Sequence, residues 1–166
     1  TDAQKDALKV TPSNRKISDY VLVLAHDPEM LAERTPLFND IMYAPGGLSR
    51  GERELGSLAA SVLNHCIYCA AVHADRHAQL SKDTAVTGKL FTMGEKADLE
   101  PRDRAILDFG MKLARTPQQA MATDVAALRA AGLDEGEILD LVLSSALFGW
   151  ANRLMHILGD PVRKTG

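Results

Sequence analysis

Apolar positions recur at helical spacing along most of this chain, and nowhere do they alternate long enough to make the face of a strand. The stretch ISDYVLVLAHDPEMLAERTPLFNDIMY, residues 17–43, carries apolar residues at intervals of three and four. Asp27-Pro28 interrupts it as an N-cap followed by proline at the first helical position. Its opening, SDYVLVLA, admits a short strand as well as a helix. APGG at 44–47 is a stop, after which Ser49 and Glu52 stand at capping-box spacing and open a helix with Leu55, Leu58, Ala59, Val62 and Leu63 on its core face. Asn64 follows the apolar run, at a place where a left-handed C-cap residue is tolerated. Further helices are predicted over 66–80, 86–93, 101–115, 117–131 and 134–159. No Asn-Gly or Asp-Gly hairpin signal occurs, so the fold class is all-α. The first 16 residues are polar and read as an N-terminal arm, leaving 17–166 as one helical domain.

The pattern also repeats. GLSRGERELGSLAASVLNHC, from Gly47, matches GLDEGEILDLVLSSALFGWA, from Gly132, in its Gly-Leu start, its cap residue (Ser49 or Asp134), its Gly-Glu pair and its apolar helix, with a break at Asn64 or Gly149. Two helical hairpins sharing one plan are therefore expected, the second without thiols, since Ala151 and Leu154 stand at the positions of the cysteines.

Composition narrows the function classes without choosing one. The chain has 166 residues, 46% of them apolar and 25% charged, as in an ordinary globular domain. A net charge of −3 with no Lys/Arg block gives no footprint for nucleic acid or an anionic membrane. No apolar run approaches the roughly 18 residues of a membrane span, and the polar start has no signal-peptide core. The expected compartment is the cytoplasm. The chain lacks an initiator Met, which fits processing or truncation.

The two cysteines carry the candidate chemistry. In VLNHCIYCAAVHADRH, steps of three and four place Cys66, Cys69 and His73 on one helical face, with the two sulfurs as neighbours. A helix starting near His65 puts both thiols in its first turn, where backbone N–H groups favour the thiolate. A zinc site built from Cys66, Cys69, His73 and His77 fails on geometry, because the string spans roughly 16 Å of helix while zinc ligands lie within about 2.3 Å of the metal. A structural disulfide closes only a tiny loop, and two inert buried thiols leave the spacing unexplained. His73 is the proton acceptor at hand, and Glu54 or Glu52 is the carboxylate able to orient it, with Glu52 committed to the cap. His65 is a supporting candidate, since a positive charge there raises the thiolate fraction; a polar residue at a helix start is the plainer reading. His77 reads as solvated. Trp150, Asn152, Arg153 and His156 read as interface or core, and the six methionines as core filler.

ERELGSLAASVLNHCIYCAAVHADR thus has the form Glu, eleven residues, Cys-x-x-Cys-x-x-x-His. It resembles the signature of the AhpD-like alkylhydroperoxidases of the carboxymuconolactone decarboxylase superfamily, in the style of their peroxidase-related branch, where Tyr precedes the second Cys. FGWANRLMHILGDPV resembles that branch's C-terminal helix, and the likeness spans residues 17–162. The resemblance implies an AhpD-like helical fold in trimers or hexamers. It assigns Cys69 as peroxidatic thiolate, Cys66 as resolving thiol, and His73 with Glu54 as the proton relay. It implies a hydroperoxide substrate and an external dithiol reductant, which in the best-known members is a lipoylated protein. No nicotinamide or flavin fingerprint is present, so no cofactor is expected, and no metal.

Tyr68 stands where some members carry a second histidine. A phenol, with an ordinary pKa near 10, is a poor base at neutral pH, so the relay is altered there. The superfamily's lactone decarboxylases lack the cysteine pair, which argues against that activity. Two other readings stay open from the residues alone: a thiol–disulfide oxidoreductase or redox sensor without peroxidase turnover, and a non-catalytic oligomeric binding protein with structural cysteines.

Overall fold

The computed structural model describes residues 1–9 and 17–158, and all regular structure among them is helical: α1 (Asp2–Ala7), α2 (Asp19–Leu24), α3 (Pro28–Tyr43), α4 (Arg50–Leu63), α5 (Ile67–Ser81), α6 (Ala85–Met93) with a 3-10 turn Gly94–Lys96, α7 (Pro101–Ala114), α8 (Ala122–Ala130) and α9 (Glu135–Leu158). The run that admitted a strand is helix α2, and the segment read as an arm opens with α1, whose Ala7 packs on Leu24, Ala25 and Leu31. The remainder of that arm, 10–16, and the end of the expected last helix, 159, lie outside the described residues.

The domain is built around α4. Every residue from Arg53 to Ser61 is buried, because α5, α7 and α9 all pack on it and α3 covers another side. Small residues allow this enclosure: a Cβ on Gly56 would come within 2.5 Å of Leu141 Cδ1 on α9. The face expected from Leu55, Leu58 and Ala59 is fully buried, but Val62 and Leu63 are only half-buried. Leu55, Leu58, Ile106, Leu107, Leu128 and Leu141 form the main core.

The capping grammar of the repeat is present in both copies. Ser49 Oγ accepts from Glu52 N at 3.3 Å while the Glu52 carboxylate takes Ser49 N–H at 3.1 Å. Asp134 and Glu137 make the same reciprocal pair at 2.8 Å each. Arg102 of α7 joins the two boxes, its Nε 2.5 Å from Glu52 Oε1 and its Nη2 2.8 Å from Glu137 Oε1.

Beyond the caps the copies diverge. The first copy breaks after α4, but α9 continues through Gly149 without interruption. The left-handed residue at the break is His65 (φ 56°), not Asn64 (φ −81°). Cys66 N–H bonds Ser61 O and His65 N–H bonds Val62 O, the paired closure of a Schellman motif. The helix expected over 117–131 begins only at Ala122, since Gln119 N–H turns back to Lys112 O and the Asp124 carboxylate takes Met121 N–H. By length and composition α9 is apolar enough to cross a membrane, which corrects the expectation that no stretch qualifies; here one side of it, with Ile138, Leu141, Phe148, Ala151 and Met155, lies buried in the domain.

Candidate active site

The break between α4 and α5 decides where the sulfurs stand. Cys66 serves both as the residue that closes the Schellman motif and as the N-cap of α5, and Cys69 lies in that helix's first turn. Two residues of α9 brace this corner: His156 Nε2 is 2.7 Å from Asn64 O, and Asn152, fully buried, bonds both Asn64 and Ser61. Within the cluster read as interface or core, Asn152 is core, Arg153 lies at the surface bonded to Thr116 and Gly149, and Trp150 is 40% exposed.

The two sulfurs lie 2.8 Å apart, within a small rotation of the roughly 2.05 Å of a disulfide. Both cysteines are buried, but only Cys69 lines a cavity of about 220 Å³. Cys69, His73, Glu54 and Tyr68 all border it; Cys66 does not, and neither does His65, which is exposed at the left-handed corner. Histidine tolerates that conformation better than most residues, which accounts for its place there.

His73 follows Cys69 by one turn, and its Nδ1 is 2.5 Å from Glu54 Oε2. The imidazole stands edge-on to Phe148, with ring centroids 3.9 Å apart. The other carboxylate oxygen of Glu54 takes Nε–H of Arg50 at 3.0 Å and a second bond from its Nη2. Burial pushes the Glu54 carboxyl up, but His73 and Arg50 outweigh it, so the group sits below the ordinary carboxylate value. Arg50 is fixed in turn by Met42 O at 2.9 Å and by the Tyr43 ring, 3.8 Å from its guanidinium carbon. Arg50 is therefore a member of the site that its position at a helix start did not reveal.

Two more residues come from distant elements. Tyr20 of α2 packs against Cys66, Cys69 and Met155. Burial holds its hydroxyl above the ordinary phenol value; Arg34 draws it down and Cys69 raises it. Arg34 of α3 borders the same cavity. No helical periodicity marks either residue as facing the thiols, and only packing of α2 and α3 over α5 and α9 brings them there. Glu52 stays in its cap, as expected. His77 differs from expectation: it is buried, its Nδ1 3.0 Å from Gly51 O, and ties α5 to the start of α4. Met93 and Met121 are exposed rather than core. Among the described residues no cluster of three or more His, Cys, Asp or Glu is arranged to hold a metal.

The class is thus an all-helical protein with a Cys-x-x-Cys pair at a helix start, one thiol opening into a cavity beside a buried Glu–His pair. The profile of the Carboxymuconolactone decarboxylase family matches residues 28–87, which hold both cysteines, His73 and Glu54. The fold is similar to an alkylhydroperoxidase AhpD core, a peroxidase-related protein from Ralstonia eutropha JMP134, at 29% identity and TM-score 0.81 over 98% of this chain and 86% of that one. It is equally similar to a peroxidase-related protein from Silicibacter sp. TM1040, at 27% identity and TM-score 0.82 over the same shares. The debrominase Bmp8, at 15% identity and TM-score 0.81 over 97% of this chain and 86% of that one, shares the fold. No curated protein sequence matches the chain. Residues 28–87 are thus similar to the Carboxymuconolactone decarboxylase family, and the fold is similar to that of AhpD-like peroxidase-related proteins.

Proposed function

We propose that this protein is a thiol-dependent peroxidase that reduces organic hydroperoxides through Cys69 and Cys66. The observation that carries the reading is the unequal placement of two adjacent sulfurs: Cys69 opens into the cavity, and Cys66 is sealed outside its lining only 2.8 Å away. A substrate then meets Cys69, and the second thiol is already in place to resolve the product.

In the first step the Cys69 thiolate attacks one oxygen of the O–O bond. An S–O bond forms, the O–O bond breaks, Cys69 becomes a sulfenic acid and the alkoxide leaves with a proton as the alcohol. The N-terminal turn of α5 favours the thiolate, and His73, held by Glu54, takes the thiol proton and returns it to the leaving oxygen. In the second step Cys66 attacks the Cys69 sulfur, a disulfide forms and water leaves. An external dithiol, a lipoyl group being one such donor, reduces the disulfide by exchange. Tyr68, at the cavity edge, serves as a hydrogen-bonding group rather than a base. The subunits assemble as trimers or hexamers, for which the exposed stripe Leu139, Leu143, Trp150 and Ile157 on α9 offers an apolar contact surface.

The roles separate in Cys66→Ser. Treated with one equivalent of alkyl hydroperoxide and a sulfenic-acid trap, this variant is expected to carry the adduct on Cys69. An adduct on neither variant, Cys66→Ser or Cys69→Ser, while both alkylate readily with iodoacetamide, overturns the reading in favour of plain disulfide exchange.

A further inference from the structure

The peroxide chemistry gives no task to Arg34, a charged group on the wall of the cavity. Arg34 borders the cavity with its guanidinium carbon 4.2 Å from the Phe38 ring centroid and 5.9 Å from that of Tyr20. Among the described residues no carboxylate pairs with it, and its Nε is buried without a hydrogen-bond partner. Arg50 is different: Glu54, Met42 O and the Tyr43 ring occupy it. Among the described residues the cavity is lined by three arginines, Arg34, Arg50 and Arg76, against one carboxylate, Glu54, which Arg50 and His73 already share.

A half-buried guanidinium set among aromatic rings is stabilised by an anion, and its fork of N–H donors matches a carboxylate. The remaining wall, with Phe38, Met42, Val72, Phe148 and Met155, is apolar. At about 220 Å³ the cavity holds a small aryl or short acyl body. Resting on the peroxidase reading above, we propose that Arg34 is an anion subsite and that the hydroperoxide reduced at Cys69 carries a carboxylate that Arg34 binds.

A matched pair tests this: cumene hydroperoxide bearing a para-carboxylate, and its methyl ester. Second-order rate constants for thiol oxidation of the reduced protein are expected to favour the acid by on the order of tenfold, the worth of one charge-assisted contact. Arg34→Gln is expected to bring the acid-to-ester ratio close to one, and Arg34→Lys to retain part of it. A wild-type ratio near one overturns the subsite, whatever the fate of the variants. Should neither peroxide oxidise the thiols, the peroxidase reading fails by itself, and the redox-inert alcohol of the same acid then reads the subsite. Slower iodoacetamide alkylation of Cys69 in wild type, with that protection lost in Arg34→Gln, supports the subsite; absence of protection in wild type overturns it.

Discussion

Glu54 Oε2 lies 2.5 Å from His73 Nδ1, and both side chains are closed off from solvent. The contact joins the central helix α4 to α5 one turn beyond Cys69. A carboxylate buried in the middle of a core helix costs free energy unless its partners repay it, and here Arg50 and His73 take both of its oxygens. That cost is understandable if the imidazole must be held in one orientation with its other nitrogen available to the thiol.

Glu54→Gln keeps the shape of the side chain and removes its charge. The rate constant for Cys69 oxidation by an alkyl hydroperoxide is expected to fall by about 10²-fold, the low end of general acid–base contributions. Tyr68→Phe is expected to change it by less than about tenfold, since a phenol is not the base at neutral pH. Stopped-flow oxidation of the reduced variants measures both.

Glu54 also makes stability depend on acid. Its burial raises the carboxyl, the hydrogen bonds and charges of His73 and Arg50 lower it further, and the net value lies below the ordinary 4.5. Because the folded value is depressed, the stabilisation is complete above the unfolded value and is lost as pH falls from 4.5 through the folded one. Glu52, lowered by Arg102 and Ser49 against its burial, adds to the same slope. Denaturant midpoints are expected to decline below pH 4.5 in the wild type and to decline less steeply in Glu54→Gln.

Gly46 and Gly47 make a controlled comparison at the turn before α4. Both have positive φ, 84° and 61°, but a Cβ on Gly46 meets nothing within 4 Å, whereas one on Gly47 falls 2.1 Å from Asp140 Oδ2. That oxygen accepts from Leu48 N at 3.0 Å and from the buried Arg53 at 2.8 Å. Gly46→Ala is expected to cost about 1 kcal/mol for the left-handed conformation alone. Gly47→Ala is expected to cost about 3 kcal/mol, because it also breaks the Arg53–Asp140 pair. Urea denaturation distinguishes the two.

The local grammar of this chain is legible from its residues. Asp27-Pro28, the Ser49/Glu52 box and the Asp134/Glu137 box mark real helix starts, and the spacing of Cys66, Cys69 and His73 brings Cys69 and His73 onto one helix with Cys66 at its N-cap. Glu54 joins them because α5 folds back along α4. What stays hidden depends on distant packing. Arg34 and Tyr20 are ordinary polar residues of their helices until α2 and α3 lie over the thiols, and His77 looks solvated until Gly51 O meets its ring. Gly149 has the composition of a break, yet α9 passes through it, with Asn152 and His156 spent on holding the corner at Asn64.

Peroxide reduction at Cys69 is tested most directly by the intact mass of the reduced wild-type protein after mixing with one equivalent of an alkyl hydroperoxide. Loss of two hydrogens within seconds, one equivalent of alcohol and a disulfide between Cys66 and Cys69 are expected. An unchanged mass after minutes, with both thiols still reactive towards iodoacetamide once unfolded, would contradict peroxide reduction there.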